Sequence, residues 1–212
     1  FASLAGAKPS VFTPYAFANL YNRRTPRTLS YLLNVQRELP GGMLLELGYL
    51  GSVSHHLESL RAVNEAIPGT TPAIQRTPFP EFGRIQLVDA GANGNYNGAS
   101  AKLTKRFSAG LTYLMSYTWS KSIDDASDVG STFSEVNIPQ DVRNVRAEKA
   151  LSSFDHRHRV VASWSYALPF GDGHAMDPRG FTGGLLGGWT RTGSTAAQNG
   201  RPFTGPLPPD HA

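Results

Sequence analysis

The stretch GASAKLTKRFSAGLTYLMSYTWS, from Gly98 to Ser120, decides the fold because it reads as one amphipathic β-hairpin. Side chains of a strand point alternately to its two faces, so a period of two separates apolar from polar residues. The apolar row of the hairpin is Ala99, Ala101, Leu103, Phe107, Leu111, Tyr113, Met115, Tyr117 and Trp119. The opposite row is Ser100, Lys102, Thr104, Arg106, Thr112, Leu114, Ser116, Thr118 and Ser120. Each arm has about ten residues, the length of a tilted strand that crosses a bilayer.

The same unit recurs along the chain. Ser108-Ala109-Gly110 joins the arms of this hairpin, and Pro40-Gly41-Gly42 joins Arg27–Leu39 to Met43–Leu50 in the same way. Further alternating segments cover Arg157–Leu168 and, more weakly, Gly188–Gln198. We therefore predict an all-β fold, an antiparallel up-and-down meander of about six strands that forms a segment of a transmembrane β-barrel.

Long irregular stretches separate these hairpins. We predict an irregular segment over residues 1–26, a barrel-like region over 27–204 with long loops at 51–97 and 121–155, and an unstructured tail over 205–212. Short strands are expected within Val11–Ala18 and Arg84–Val88, and a short helix over Asn144–Leu151. Short turns on one side and long loops on the other are typical of outer-membrane barrels.

Composition is consistent with this fold. The 212 residues include 22 Gly and 15 Pro, which indicate turns and loops, and the formal net charge of +4 comes from scattered basic residues. We therefore expect no nucleic-acid partner. Without Cys, the chain has neither disulfides nor thiolate metal sites. It has no apolar run long enough for a transmembrane helix and no signal-peptide pattern at its start, and it reads as a fragment or a matured product.

Two groups of histidines are candidate sites. On a strand His156 and His158 share a face, as two ligands of a metal do, but no third ligand is evident nearby and zinc needs three or four. We therefore interpret Asp155-His156-Arg157-His158 as a junction between a loop and a strand. His55 and His56 are adjacent and point oppositely in regular β structure, so we interpret them as a loop feature beyond a strand end.

Other chemical motifs also have simpler interpretations. Asp124, Asp125 and Asp128, with Ser122 and Ser127, lack the spacing of a calcium-binding loop and indicate a solvated loop. The chain contains no nucleophile motif GxSxG and no phosphate-binding Gly loop. We therefore predict that the protein is not an enzyme, with no catalytic, cofactor-binding or metal-binding residues and no cofactor.

Several phrases, taken in order and at their spacing, resemble the barrel region of Oar-like TonB-dependent outer-membrane receptors. They are Gln36–Gly42, Lys102–Phe107, Tyr117–Asp125, Ser152–Arg159, Leu186–Trp189 and Asn199–Thr204. The resemblance covers most of residues 22–204. It implies a bacterial outer-membrane location, a parent barrel of about 22 strands, and import of a scarce nutrient bound at the outer loops with energy from the TonB system.

The expected partners are therefore outer-membrane lipid, the TonB system and an unknown ligand. The aromatic row Tyr113, Tyr117 and Trp119, with Trp164 and Tyr166, then forms girdles at the membrane surface, whereas in a soluble sheet it would be core. Two other hypotheses stay open. Exposed strand edges favour a self-associating structural protein, and Ser residues with His156 or His158 leave a hydrolase to be tested.

Overall fold

The computed structural model describes residues 14–108, 110–127, 138–170 and 187–202. Its strands are β1 (Ala16–Asn19), β2 (Arg27–Leu39), β3 (Met43–Ala62), β4 (Ile85–Ser108), β5 (Leu111–Asp124), β6 (Ala150–Leu151), β7 (His158–Ala167) and β8 (Thr190–Gln198). A one-turn helix, α1 (Ala73–Arg76), and a 3₁₀ turn at Val145–Glu148 are the helical segments in these residues, and neither is long and apolar enough to cross a membrane.

The strands form one sheet in the order β2-β3-β4-β5-β7-β8, and every neighbouring pair on this path is antiparallel. This confirms the predicted all-β antiparallel meander. Two short strands lie off the path: β1 pairs in parallel with the start of β4, and β6 pairs with the end of β5. The predicted strand near Val11–Ala18 is observed as β1, while residues 11–13 lie outside the described part of the chain.

Register aligns the apolar rows of successive strands into one continuous face, which we call the apolar face. Leu33 pairs with Tyr49, Tyr49 with Ala99, and Ala99 with Trp119. The large apolar side chains here are all at least two-fifths exposed: Leu29, Leu33, Val35, Leu47, Tyr49, Met115, Trp119 and Trp164. An antiparallel sheet that buried this face against protein would hide these residues, so the face meets an apolar medium outside the chain.

The opposite face is polar, and we call it the polar face. A typical transverse row runs Gln36, Glu46, Lys102 and Ser116 across four strands. A slip of one residue in any pair would bring charges such as Glu46 and Lys102 to the apolar face, so this pattern fixes the register.

The tight turns at one end of the sheet have the predicted backbone. Gly41, Gly42 and Gly110 have φ values of 80°, 71° and 78°, which strain any residue with a Cβ. Glycine also permits close packing within the apolar face, because a Cβ on Gly51 would lie 2.3 Å from the ring of Tyr31. The ring of Trp164 covers Gly193 in the same manner, because a Cβ on Gly193 would lie 2.8 Å from that ring.

The strands are longer than the sequence pattern predicts. The predicted loop over residues 51–97 was wrong at both ends, since Gly51 to Ala62 belongs to β3 and Ile85 to Asn97 to β4. Similarly, β5 continues to Asp124 and β6 occupies Ala150–Leu151 within the expected loop 121–155. The start of β4 pairs there with β1, and the end of β5 pairs with β6. The predicted helix over Asn144–Leu151 is reduced to the 3₁₀ turn.

The lengths of the connections agree only in part with the predicted asymmetry, in which short turns lie at one end of the sheet and long loops at the other. The connections at 63–84 and 125–157 lie at one end of the sheet, which we call the long-loop end, and the two tight turns lie at the other. The connection from β7 to β8 lies at the tight-turn end and is also long, because it runs from Leu168 to Trp189.

Residues buried by contacts within the chain are concentrated at the long-loop end. Leu60, Ala62, Val88 and Ala92 are the buried apolar residues of the described chain, and all four lie in the long-loop halves of β3 and β4. The rest of the sheet has no packed second layer among the described residues. Its stability therefore depends on strand pairing and on the medium that covers the apolar face.

Replacing Met115 by Arg tests which face meets lipid. Met115 lies near the middle of the apolar row of β5, while Ser116 lies next to it on the polar face. With the protein in lipid vesicles, we expect Met115→Arg to lower the free energy of unfolding by about 2–4 kcal/mol, the cost of Arg near the bilayer midplane. Ser116→Arg is the matched control and should cost much less in the same denaturant titration. Equal costs would contradict the assignment of the two faces.

Candidate functional site

The polar face carries an ordered network around Glu46. Its carboxylate accepts hydrogen bonds from Asn34 Nδ2 at 2.9 Å and Gln36 Nε2 at 3.3 Å, and Lys102 Nζ lies 3.7 Å away. The first two donors are on β2 and the lysine is on β4, so β3 presents Glu46 between them. The Glu46 carboxylate and the Lys102 ammonium are partly exposed, and exposed charges are unfavourable in an apolar medium. The network therefore indicates a wet surface on this side of the sheet.

Asp155 completes the hydrogen bonding of β5 where its neighbouring strand is interrupted. Between β6 and the start of β7 the chain leaves the sheet, and the buried Asp155 carboxylate accepts the Ser122 backbone N–H at 2.6 Å. Ser152 donates from its own N–H to the Ser122 carbonyl at 3.0 Å and from its hydroxyl to the Ser122 hydroxyl at 2.8 Å. Asp155 is thus a structural acceptor that replaces a strand carbonyl. No pattern in the sequence indicates this role of Asp155.

The two histidines that follow contact different groups. His156 Nδ1 lies 2.8 Å from the Asn199 carbonyl oxygen, and His158 Nδ1 lies 2.8 Å from the Tyr117 hydroxyl, with the two rings stacked 6.1 Å apart. Within the described residues, no hydrogen bond joins either imidazole to a Ser hydroxyl. No group of three or more His, Asp or Glu side chains there has the geometry of a metal site. The structure therefore adds no support to a hydrolase or a metal site.

His55 and His56 lie within β3, so their assignment to a loop beyond a strand end was wrong. The register of β3 against β4 shifts between Ser54 and Leu57, and His56 has a φ of 59°, so the pair forms a β-bulge. His55 Nδ1 lies 3.0 Å from Asn93 Oδ1. Partial desolvation and the guanidinium groups of Arg24 and Arg27 lower the pKa of His56 below its usual range.

The acidic cluster binds protein donors. Asp124 accepts the Ser127 hydroxyl at 2.8 Å, and Asp125 accepts the Asn93 backbone N–H at 2.6 Å and its side-chain amide at 3.0 Å. Ser127 in turn accepts the Ser153 N–H at 2.9 Å. Asp128 lies outside the described residues. These contacts connect the end of β5 to β4 and to the segment before β7.

Two buried polar residues that sequence analysis missed are Asn64, which organises the connection at 63–84, and Asp89, which connects β4 to β3. The Asn64 side-chain amide donates to the carbonyls of Phe79, Phe82 and Gly83 at 3.0, 3.1 and 2.7 Å, and its oxygen accepts the Phe79 N–H at 2.9 Å. Asp89 accepts the Ser59 hydroxyl and lies 2.6 Å from Arg61 Nε. Single polar residues of this kind give no periodic signal in a sequence.

Charged residues of both long connections act on the Glu65 carboxyl. Burial raises the pKa of the Glu65 carboxyl, while Arg84 and Arg143 oppose this shift and Asp141 adds to it. Charged residues of the 63–84 connection and of the 138–148 segment therefore influence the same carboxyl. The Glu46 network is a polar surface that a solute would meet along the polar face.

Comparison with known proteins identifies the family. A family model described as an outer membrane beta barrel domain matches residues 2–207. The chain belongs to this family. Searches of curated proteins and of solved structures found no match.

Membership of the outer membrane beta barrel family explains the two faces. The protein is located in the bacterial outer membrane, so the apolar face meets lipid and the polar face lines the barrel interior. The same location accounts for the long-loop end, because such barrels carry their longer loops on the extracellular side. The predicted location and barrel class are thereby confirmed.

Replacing Asp155 by Ala tests its structural role. The substitution leaves the Ser122 N–H buried without an acceptor, so we expect the free energy of unfolding to fall by about 1–3 kcal/mol. Asp141→Ala is the control, because it removes an exposed carboxylate paired with Arg143 at 2.9 Å, worth about 0–1 kcal/mol. The measurement is a denaturant titration of each variant in vesicles. The same loss in both would refute the assigned role of Asp155.

Replacing Glu65 by Gln tests the pKa shift in the outer connections. A carboxyl whose pKa is higher in the folded than in the unfolded state stabilises the fold at low pH and loses that contribution as pH rises through the folded pKa. Relative to the Glu65→Gln variant, the wild-type protein should therefore become less stable as pH rises above 4.5, the ordinary value for this group. Unfolding measured across this pH range checks the sign, and an opposite slope would contradict the shift.

Proposed function

We propose that the chain forms part of the barrel wall of a TonB-dependent receptor of the Oar-like type, which imports a nutrient across the outer membrane. The resemblance of its ordered phrases to such receptors motivates this proposal. The observation that carries it is the length of the strands. β3 and β4 have 20 and 24 residues, about twice what a bilayer crossing needs. Strands that continue above the membrane form an ordered surface. Such a surface suits a receptor, which must bind its ligand, better than a pore for passive diffusion.

The strand order also favours a larger barrel. β2 and β8 end the path, and in the described residues each has one strand partner. An unpaired edge in lipid leaves backbone groups without hydrogen bonds, at several kcal/mol each. Closure therefore needs further strands, and the barrels of outer-membrane transporters have about 22. The polar face with its Glu46 network would then line a wide, wet interior.

Deletion of the gene tests the proposal in the bacterium that encodes the chain. Uptake of a defined panel of ferric siderophores, cobalamin and oligosaccharides is compared in the wild type, in a strain lacking this gene and in a strain lacking TonB. We expect uptake of at least one compound to fall to background in both mutants and to return when the gene is restored. Loss only in the gene deletion would indicate passive diffusion and contradict the proposal.

The free edges also favour a second candidate, a self-associating structural protein. The exposed β2 edge has 13 residues and the β8 edge nine, enough to pair with other copies. This candidate predicts that uptake of every compound stays unchanged in the deletion strain. The same experiment therefore separates the two functions.

A further inference from the structure

A groove of about 220 Å³ opens on the apolar face near the long-loop end. One wall is formed by Trp119, Lys121 and Ile123, which lie on the same side of β5, and the other by the facing residues of β4. The side chains that matter for its chemistry are Tyr49, Asn97, Trp119, Lys121, Ile123 and Arg157. Because Tyr49 is on β3 and Arg157 precedes β7, they border the groove on opposite sides.

The β4 wall is held in place by hydrogen bonds. Asn97 Oδ1 accepts the Tyr49 hydroxyl at 2.7 Å and the Tyr31 hydroxyl at 3.4 Å, while its amide donates to Asn95 Oδ1 at 2.6 Å. Tyr and Trp side chains concentrate where a spanning strand leaves the hydrocarbon for the headgroup layer. With Trp119 on the opposite wall, these tyrosines locate the groove at the level of the headgroups.

The charged lining of the groove is entirely cationic. Lys121 is exposed two residues beyond Trp119, and Arg157 is among the residues that line the same groove. The Nε of Arg157 is buried and has no hydrogen-bond partner among the described residues. No carboxylate is present among the residues that line the groove. A buried guanidinium donor without an acceptor, beside a second cation, favours an anionic ligand.

We propose that this groove binds the phosphorylated headgroup of a lipid in the outer leaflet of the membrane. Lys121 and Arg157 contact the phosphate oxygens, and the acyl chain continues over Trp119 and Ala99 along the apolar face. A lipid is favoured over a soluble anion because the groove opens on the face that meets lipid. The inference rests on the barrel family and its location, and it does not depend on TonB-dependent uptake.

Quenching of Trp119 by brominated lipids measures this binding. Trp164→Phe and Trp189→Phe leave Trp119 as the single tryptophan of the chain, which has three. The protein is inserted into phosphatidylcholine vesicles that contain increasing fractions of brominated phosphatidate or, separately, brominated phosphatidylcholine. We expect phosphatidate to quench at a lower mole fraction, with a preference of about fivefold for each cation near the headgroup layer.

Matched variants assign the preference to the groove. Lys121→Gln and Arg157→Gln should each reduce it by about fivefold. Lys149→Gln and Arg159→Gln are the controls, because Lys149 lies in the outer connection and Arg159 lies on the polar face opposite Thr118. Both should keep the full preference. The far-ultraviolet circular dichroism of every variant checks that the β-sheet content is unchanged.

Three outcomes would overturn the proposal. One is equal quenching by the two brominated lipids, and another is a preference that survives in Lys121→Gln and Arg157→Gln. The third comes from adding inorganic phosphate to the protein in plain phosphatidylcholine vesicles. If phosphate alone shifts the Trp119 emission as strongly as phosphatidate does, the groove binds a soluble anion instead of a lipid.

Discussion

A strand in hydrocarbon has no water to bind its backbone, so each N–H and C=O must find a partner within the protein. The rest of this structure depends on that constraint. It explains why the described strands pair continuously from β2 to β8 and why their apolar side chains need no protein partner. The hydrophobic effect here selects which face meets lipid, whereas the backbone hydrogen bonds hold the sheet together. An exposed Leu33 or Met115 is therefore a sign of location, since lipid covers it.

This constraint is relaxed at the long-loop end, because water is available there to the backbone. Strands β3 and β4 continue well past bilayer length, and their alternation gives way to buried polar groups with specific partners. Asn64 bonds to three carbonyls of its connection, and Asp155 replaces a strand carbonyl beside Ser122. These contacts stabilise an ordered outer surface above the membrane.

The two faces offer two kinds of chemistry at different heights along the strands. Toward the interior, Glu46 and Lys102 form a wet, charged row that a passing solute would contact. Toward lipid, Lys121 and Arg157 are among the residues that line the groove beside Trp119 and Tyr49. A sheet can combine these functions because successive residues point to opposite faces. Thus Lys102 and Lys121, on neighbouring strands, serve different environments although both are lysines.

The sequence alone determined that the fold is all-β, which residues share a face of the sheet, and where the tight turns lie. A period of two in Leu111–Trp119, and glycines at 41, 42 and 110, depend only on local geometry. It also determined the outer-membrane class, through phrases that recur in such barrels. Tertiary structure alone decided where the strands end, that His55 and His56 form a bulge, and that Asp155 and Asn64 have their present partners. Those features arise from contacts between residues far apart in the chain, and a periodic pattern contains no information about such contacts.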